Sequence, residues 1–470
     1  MSTVTRPAAH SKGHPREAEK VSFLSVANSM RRGEFLEFLT RRVDETDGAI
    51  LRLNVGYRAY VVTRPDHVRH VLLTNAENYP REGLMWEPMQ RLVGRNIGGD
   101  GPQHREAKRE LQPSFTAGHI AKVYDQWARV VCEAVGDLTT QKANQVVNAY
   151  EEYTRIIHRA VNNIFFGAKI SLDDSELVGD AVRDATTSLV PRLLAPWLPY
   201  WVPVPGELRF RRAVKTVDRV MKPLVDLAVQ GNPDVGIASS LAARGADAQH
   251  IRDELVAIAV AGSESTAIAL SWLAVVFDEH PEIADRVHAE LNEKLGEEIP
   301  TYHQLHDLTY TKMVLKELIR MYPAGWILPR TAQQDDVIDG VKIKGGSYVI
   351  ISPYLTHRLS HVWEDPQTFK PERFTPEREK ERKEKFAGGL PDLSFGYGAH
   401  SCLGQQFFEI EALLIVSRIC RTHRLRLHNP PGASPVRAKP GLALNPKRDV
   451  GWLRRRSDAA EVQIILEPRG

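Results

Sequence analysis

The stretch Phe395-Gly-Tyr-Gly-Ala-His-Ser-Cys-Leu-Gly404 combines a glycine-rich turn with a cysteine. Gly396 and Gly398 permit a tight turn with positive φ, and an apolar helix is expected to begin at Leu403. The N-terminal amides and the positive dipole end of that helix would then face the sulfur of Cys402. This environment lowers the pKa of a thiol and favours metal binding. A cysteine before a helix can equally be a small buried residue, so the turn alone leaves both interpretations open.

The pattern F-x-x-G-x-x-x-C-x-G is matched at Phe395, Gly398, Cys402 and Gly404. It resembles the haem-binding loop of the cytochrome P-450 family, and the resemblance extends from about residue 45 to the end of the chain. The resemblance implies that Cys402 is the axial ligand of the iron of haem b (iron protoporphyrin IX) and that Phe395 packs beside it. His400 falls where the family has an Arg or His facing a haem propionate.

Composition limits the class of protein. The chain has 470 residues, and its 62 basic residues nearly balance its 59 acidic ones, which does not suggest a nucleic-acid binder. Three cysteines cannot form a disulfide framework, so a reducing, cytoplasmic location is expected. The polar N-terminal segment lacks an apolar signal core or membrane anchor; an organelle transit peptide is the alternative for it. We expect a monomer.

The domain organisation is expected to be simple, because no repeat or flexible linker divides the chain. Residues 1–20 are predicted to be a flexible tail, and residues 21–470 one monooxygenase domain. Two β-rich runs, 49–55 and 59–65, predict a hairpin. Helical patterns cover 65–73, about 104–290 with interruptions, 309–322 and 403 to about 420, whereas 337–352 is strand-like and 359–401 irregular. These patterns predict a mainly α fold with a small β part, as the resemblance also implies.

Two apolar segments allow more than one interpretation. Residues 255–277 are apolar except for a polar centre, and an acid at mid-bilayer costs about 2.5–3.5 kcal/mol, so a buried helix is preferred to a membrane span. Residues 193–205 are apolar and aromatic where a surface loop is normally polar. They are compatible with a mobile lid, contact with a membrane surface, or core packing. Residues 377–385 mix charges evenly, which is typical of a solvated surface segment.

Glu317 and Arg320 lie three residues apart, on one face of a predicted helix. Such pairs are commonly solvated surface pairs. Here they match the E-x-x-R motif of the family, and Arg373, in Pro371-Glu-Arg-Phe374, matches the arginine that completes a buried triad. The resemblance therefore implies an internal charge triad that the fold needs in order to retain haem.

Three further residues match haem-binding positions of the family. His104 and Lys108 occupy the places of W/H-x-x-x-R, with lysine replacing the usual arginine, so a bidentate contact becomes a single-point one. Arg330 lies where relatives have a propionate-binding arginine. Each of the three could instead be a solvated side chain.

Ala261-Gly-Ser-Glu-Ser-Thr266 places a polar patch in the middle of the apolar helix. It resembles the oxygen-activating A/G-G-x-D/E-T-T/S motif, which implies that Glu264 relays protons and that a hydroxyl of Ser265 or Thr266 holds water beside dioxygen, the co-substrate. Ser265 replaces the usual threonine and lacks the methyl group that restricts its rotamer. The alternative is a helix kink with hydroxyls bonded locally.

No flavin, nicotinamide or iron–sulfur motif is present, so electrons are expected from a ferredoxin and its NAD(P)H-dependent reductase. Arg105, Lys108 and Arg109 form a candidate cationic docking patch for an acidic ferredoxin. The alternatives are a peroxide-using or redox-neutral thiolate-haem enzyme and a haem sensor. None of them requires the acid–alcohol pair formed by Glu264 and Ser265.

The substrate is expected to be a hydrophobic small molecule, such as a terpenoid, a polyketide or another secondary metabolite, because the predicted contact positions are mostly apolar. By family position they are the 80–98 loop, the 193–205 segment, Ala257, Ala261, Ile327 and Val450. Core packing would explain each of these residues equally well.

Overall fold

The computed structural model describes residues 17–54, 57–83, 86–94, 96–167, 169–194, 198–199, 201–431, 433–441, 443–448 and 461–469. Val450, one of the expected substrate contacts, and parts of the 193–205 and 80–98 segments lie outside these residues.

Seventeen helices are assigned among the described residues. In chain order they are α1 (Phe23–Arg32), α2 (Phe35–Glu45), α3 (Pro65–Arg69), α4 (Glu87–Val93), α5 (Gly101–Leu111), α6 (Ala117–Gln141), α7 (Ala149–Phe165), α8 (Leu172–Leu194), α9 (Glu207–Val229), α10 (Ile237–Ala242), α11 (Ala248–Glu279), α12 (Pro281–Lys294), α13 (Tyr302–His306), α14 (Thr309–Met321), α15 (Pro353–Thr356), α16 (Pro376–Lys385) and α17 (Gln405–Thr422).

Short strands form four small sheets in the described chain. The strands are β1 (Glu19–Val21), β2 (Leu51–Asn54), β3 (Arg58–Val62), β4 (Val146–Asn148), β5 (Leu328–Thr331), β6 (Asp336–Ile338), β7 (Val341–Ile343), β8 (Tyr348–Ile351), β9 (His423–Leu427), β10 (Val436–Pro440), β11 (Leu444–Arg448) and β12 (Gln463–Pro468). The largest sheet has the order β1-β2-β3-β8-β5, and β4-β12-β9 form a second. The predicted mainly α fold with a small β part is confirmed.

The five-stranded sheet separates two apolar clusters because side chains alternate along a strand. In β3, Ala59 and Val61 face the large helical core, whereas Tyr60 and Val62 face a smaller cluster on the other side. The predicted hairpin is confirmed as β2 and β3, which pair antiparallel with Leu51 opposite Val61.

The long helix α11 crosses the helical core and packs against α7 and α9. It is the one helix in the described part of the chain that is long and apolar enough to cross a membrane, and 71% of that apolar window is buried inside the fold. The indole of Trp272 stacks on Tyr322 at 3.9 Å and donates to the carbonyl of Leu444 at 3.0 Å, which ties α11 to the strands near the C-terminus. A buried core helix accounts for these contacts.

Three expected boundaries differ from the structure. Strand β1 begins at Glu19, so Glu19 and Lys20 belong to a sheet and not to a flexible tail. The segment expected to be irregular contains α16, which has the cap Thr375, a proline in its first turn and basic residues in its last turn. None of its residues is buried, in agreement with the predicted solvated segment.

The third difference lies beside the cysteine. Helix α17 begins at Gln405 and not at Leu403, because the turn continues through Gly404. The first helical bond of this segment runs from Phe408 N to Gly404 O at 2.8 Å. With this later start, the first backbone N–H groups of α17 point toward the end of the cysteine turn.

Glu207 connects three helices above the core. Its Oε1 accepts from Arg91 of α4 at 2.6 Å and from Arg211 of α9 at 3.0 Å, and Arg192 of α8 lies 3.8 Å from Oε2. The buried Arg192 also donates to the carbonyls of Leu198, Pro199 and Val202. The described residues that Arg192 contacts between α8 and α9 are therefore linked to α4 through Arg192 and Glu207.

Candidate active site

The turn before Cys402 is held by backbone hydrogen bonds. Gly396 and Gly398 have φ of 64° and 72°, as the sequence predicted. Cys402 N donates to Phe395 O at 2.8 Å, which closes the turn. A Cβ at Gly398 would lie 2.9 Å from the carbonyl oxygen of Leu72, so only glycine fits there. The position of the sulfur is consequently fixed by the backbone.

Cys402 is exposed, whereas Cys132 and Cys420 are buried. The residue is exposed, but its thiol lies among protein atoms, and this burial raises the pKa of the thiol, against the effect of hydrogen bonds from the backbone N–H groups of Gly404 and Gln405. The helix start thus directs two donors at the sulfur. A thiolate bound to a cation would be stabilised by exactly these donors, so the position fits a metal ligand.

Two arginines face this region, Arg330 fully buried and Arg81 half-buried. Arg330, expected from the resemblance, is 3% exposed, and Arg81 was not predicted. Burial lowers the pKa of Arg81 to about 9 and that of Arg330 to about 10, and Arg330 contributes to the shift of Arg81. Nε of Arg81 is buried without a hydrogen-bond partner in the described structure. Buried cations of this kind require anions, and the carboxylates of a haem fit that requirement.

His104 and Lys108 of α5 contact the cysteine turn itself. Nε2 of His104 lies 3.1 Å from the carbonyl oxygen of Ala399, and its Nδ1 lies 3.0 Å from Ile97 O. Lys108 donates to Ala399 O at 2.6 Å and to Ser401 Oγ at 3.2 Å. Both side chains therefore hold the cysteine turn in place through hydrogen bonds. This positioning role is additional to the cofactor contact that the resemblance implies.

His400 lies in the same turn, and its ring centroid is 4.2 Å from that of His104. Burial lowers the pKa of His400 to about 4, and a hydrogen bond to Asp100 opposes this effect. Its Nδ1 is buried and unpartnered among the described residues. Phe395 packs against Phe408 of α17 at 5.8 Å between ring centroids, beside the cysteine turn.

In the middle of α11, neighbouring residues differ in their exposure. Ala261 and Ser265, one turn apart, are both exposed, whereas Thr266 is 3% exposed. Oγ of Ser265 donates to Ala261 O at 3.0 Å, a local bond that water can replace. The exposed face of this helix therefore carries the hydroxyl of Ser265, and Thr266 packs into the core.

Glu264 stands beside an arginine that the sequence did not indicate. Burial raises the pKa of its carboxyl, and the charge of Arg183 on α8 opposes the shift. Arg183 also lies over the ring of Tyr150, 5.2 Å from its centroid. A raised pKa favours the protonated form of the carboxyl, which suits a group that relays protons.

The structure brings the three charges of the predicted triad together in the interior. Nε of Arg320 lies 2.6 Å from Glu317 Oε2, and Nε of Arg373 lies 3.2 Å from Glu317 Oε1. Arg320 donates further to the carbonyls of His357 and Pro366, and Arg373 to those of Glu364 and Asp365. All three side chains are at most 3% exposed, so the charges are satisfied within the protein.

The expected substrate contacts are placed unequally. Ala261 is exposed on the open face of α11, but Ala257, one turn earlier, is only 6% exposed. Ile327 is half-buried, and the neighbouring Trp326 donates to Gly441 O at 2.9 Å. Ala261 and Ile327 therefore have open surface in the described chain, whereas Ala257 serves mainly as packing.

Comparison with known proteins gives consistent results. A family model described as Cytochrome P450 matches residues 15–450. The chain is 28% identical to cyclooctat-9-en-7-ol 5-monooxygenase of Streptomyces melanosporofaciens, over 83% of this chain and 85% of that protein. It is 29% identical to cyclooctatin synthase of the same organism, over 90% and 89%. For pentalenene oxygenase of Streptomyces avermitilis the identity is 24%, over 83% and 87%.

Solved structures share the fold at lower identity. The haem domain of cytochrome P450DA superposes with a TM-score of 0.79 at 16% identity, covering 97% of this chain and 98% of that one. A further cytochrome P450 structure gives a TM-score of 0.77 at 21% identity, covering 97% and 100%. At these identities the likeness concerns the fold.

Proposed function

Because this chain belongs to the cytochrome P450 family, and is therefore a haem-dependent monooxygenase that uses dioxygen, we propose that it oxidises a hydrophobic terpenoid-like molecule with Cys402 as its iron ligand. The observation that carries the assignment is the thiol of Cys402, an exposed residue, which accepts hydrogen bonds from the amides of Gly404 and Gln405. We propose haem b as the cofactor, held by Arg330, Arg81 and His400 around its carboxylates.

The bound haem supplies oxygen activation and insertion, and this chain's own residues prepare the site. Burial raises the pKa of the Glu264 carboxyl, which favours its protonated form, and the charge of Arg183 opposes this shift. Ser265 presents its hydroxyl on the same open face as Ala261, where it can orient a water molecule. Proton supply and the apolar substrate wall therefore lie on one helix.

A terpenoid substrate is proposed from two supports. Several relatives are named for cyclooctat-9-en-7-ol, cyclooctatin and pentalenene. The open surface at Ala261 and Ile327 is apolar, which suits a hydrocarbon skeleton. Polyketides and other secondary metabolites of similar polarity would suit the same apolar surface.

A ferredoxin is the proposed electron donor. An open groove of about 600 Å³ runs along α5 to Ala399 of the cysteine turn, and Arg105, Lys108 and Arg109 line it. The side chain of Arg109 is 77% exposed. An acidic iron–sulfur protein would find complementary charge beside the turn that holds Cys402.

The test combines a spectrum with turnover. We expect the reduced protein to give, with carbon monoxide, the long-wavelength Soret band of a thiolate-ligated haem, and Cys402→Ser to lose it. Turnover of a terpenoid panel should require NAD(P)H, reductase and ferredoxin. Turnover with peroxide alone, at the same rate, would instead assign the protein to the peroxide-using class. A normal band in Cys402→Ser would contradict the ligand assignment.

A further inference from the structure

Asp100 joins three segments that are far apart in sequence. It is the last residue before α5, and its Oδ1 accepts from Gly101 N at 2.7 Å, so it caps that helix. Its Oδ2 accepts from the backbone N–H of Arg81 at 2.7 Å and lies 3.1 Å from Nε2 of His400. One carboxylate thus connects the start of α5, the segment after Pro80 and the cysteine turn.

This bonding exceeds what a helix cap requires. A cap needs one oxygen for the first amides of the helix, and Oδ1 fulfils that role alone. The second oxygen is used for His400 and Arg81, which both belong to the proposed haem site. The side chains of Asp100 and His400 are 22% and 9% exposed, so solvent only partly screens their contact.

Charge gives Asp100 a second connection to the same groups. The negative charge of Asp100 favours the ionised forms of Arg81 and Arg330. Burial disfavours the ionised form of both arginines, and the charge of Arg330 also disfavours that of Arg81. Burial raises the pKa of Asp100, but hydrogen bonds from His400, Arg81 and Gly101 outweigh it and hold the pKa well below its usual range. Asp100 therefore remains an anion at neutral pH.

We propose that Asp100 is a positioning residue of the haem site, which orients His400 and Arg81 toward the haem carboxylates and supplies the negative charge that balances the buried arginines. This inference rests on the haem site of the proposed function. Asp100 does not contact the iron ligand, and it acts through the two residues that it binds. Groups that orient a metal site from its surroundings are typically needed for tight binding.

Two substitutions separate this role from helix capping. Asp100→Ser retains a good cap but is too short for His400 and Arg81, so we expect haem to dissociate about ten- to a hundredfold faster into an excess of apomyoglobin. Asp100→Asn removes the charge and keeps one accepting oxygen of the right length, so haem loss should change less than in Asp100→Ser. In both variants the reduction potential of the haem should rise, because a negative charge near the iron has been removed.

Asp247→Ser is the matched control, since Asp247 caps α11 through a 2.8 Å bond from His250 N. It makes the same change at a helix start, and the haem dissociation rate and the potential should stay at their wild-type values. If Asp100→Ser also keeps both values, Asp100 is a helix cap only and the inference is wrong. Should Asp100→Ser fail to fold, the potential of Asp100→Asn decides, and an unchanged potential overturns the proposal.

The same samples distinguish failure of this inference from failure of the proposed function. The carbon monoxide spectrum of the wild-type protein tests thiolate ligation independently of Asp100. A wild-type spectrum without the thiolate band would reject the haem site itself. A normal wild-type spectrum together with unchanged Asp100 variants rejects only the positioning role.

Discussion

Ser265 and Thr266 are neighbours with different surroundings. The hydroxyl of Ser265 is on the exposed face of α11, and that of Thr266 is on a side chain only 3% exposed. Serine has more rotameric freedom than threonine, so Ser265 can exchange its bond to Ala261 O for one to water. In the proposed site, control of the water that delivers protons would therefore depend on the hydroxyl of Ser265.

We expect Ser265→Ala to release more hydrogen peroxide per NAD(P)H consumed, because the water near the haem loses one hydrogen-bond partner. The increase should stay well below the ~10²-fold effect of removing a positioned proton donor, because a water molecule can replace the hydroxyl. Peroxide and NAD(P)H are measured in one assay. Ser271→Ala is the control, since Ser271 makes the same kind of bond, to Ala267 O at 2.8 Å, but is fully buried. Unchanged coupling in Ser265→Ala would transfer the role to Thr266 or to ordered water.

At the scale of elements, the buried triad links α14 to the irregular segment that precedes the cysteine turn. Glu317 and Arg320 come from the helix, and Arg373 comes from a short turn that follows Lys370. The backbone N–H of Lys370 also donates to Glu317 at 2.9 Å. The triad therefore fixes the irregular segment to the helix.

We expect Arg320→Ala to destabilise the protein by about 3–5 kcal/mol and to abolish haem retention, because Glu317 is left as a buried, partly unpaired charge. The absorbance ratio of haem to protein after purification measures retention. Lys316→Ala on the same helix is the control: its partner Glu379 is reached at 3.0 Å, but both side chains are partly exposed, so at most about 1 kcal/mol is expected. Normal haem occupancy in Arg320→Ala would contradict the assigned role of the triad.

Helix α5 presents the groove beside the cysteine turn. We expect Arg109→Glu to slow electron transfer from ferredoxin and to weaken its dependence on ionic strength, because one charge of the docking surface is reversed. Stopped-flow reduction of the haem measures the rate. Lys383→Glu on the solvated helix α16 makes a similar reversal elsewhere and should leave the rate unchanged. An equal rate for Arg109→Glu and the wild type would place the docking surface elsewhere.

Most elements were predictable because their signals are local. The hairpin at β2 and β3, the course of α11 and α14, and the glycine turn before Cys402 all follow from periodicity or from residues with special φ values. Helix α16 was missed although Thr375 and Pro376 are good start signals, because a highly charged segment shows no apolar face. Asp100 shows a similar limit: its capping role is visible in sequence, but its bond to His400 is not.

Residues that meet only through folding were not predictable. Arg81 follows Pro80 in an irregular stretch without a motif, and its neighbour Arg330 comes from a distant strand. Arg183 reaches the surroundings of Glu264 from another helix. The triad, by contrast, was expected from a family motif. The relation of one segment to another is fixed by tertiary packing, which a single sequence does not display.

For the whole molecule, buried titratable groups set the dependence of stability on pH. Burial raises the pKa of Glu411 to about 8 and that of Glu254 to about 7. Between its ordinary and its raised pKa, each carboxyl therefore binds a proton in the folded protein and releases it on unfolding. Burial lowers the pKa of His158 to about 4, and this neutral histidine takes up a proton on unfolding below pH ~6.5. The acids make stability fall as pH rises above their usual pKa of about 4.3. The histidine makes stability rise as the pH increases from about 4 to about 6.5.

We expect the free energy of unfolding to decrease between pH 6.5 and 8, where the histidine no longer compensates for the acids. The slope for one such acid is at most about 1.4 kcal/mol per pH unit. Glu411→Gln should flatten the decrease, because the amide does not titrate, and urea unfolding at a series of pH values measures it. The control is Glu409→Gln on the same helix, an acid that is about one-third exposed. A slope that persists unchanged in Glu411→Gln would assign the effect to other groups.

Salt is expected to have two opposite effects on catalysis, one at the charged connection of Glu207 and one at the α5 groove. Arg91 and Glu207 are 27% and 11% exposed, so added salt partly screens the pair that ties α4 to α9. Because α4 lies in the 80–98 segment proposed to contact the substrate, screening of this pair should let an uncharged substrate reach the site faster. Salt should separately release a docked ferredoxin from the α5 groove. We expect substrate binding measured by stopped flow to speed up with ionic strength while reduction by ferredoxin slows. The overall rate would then pass through a maximum at intermediate salt, where the slowest step changes from substrate access to electron supply.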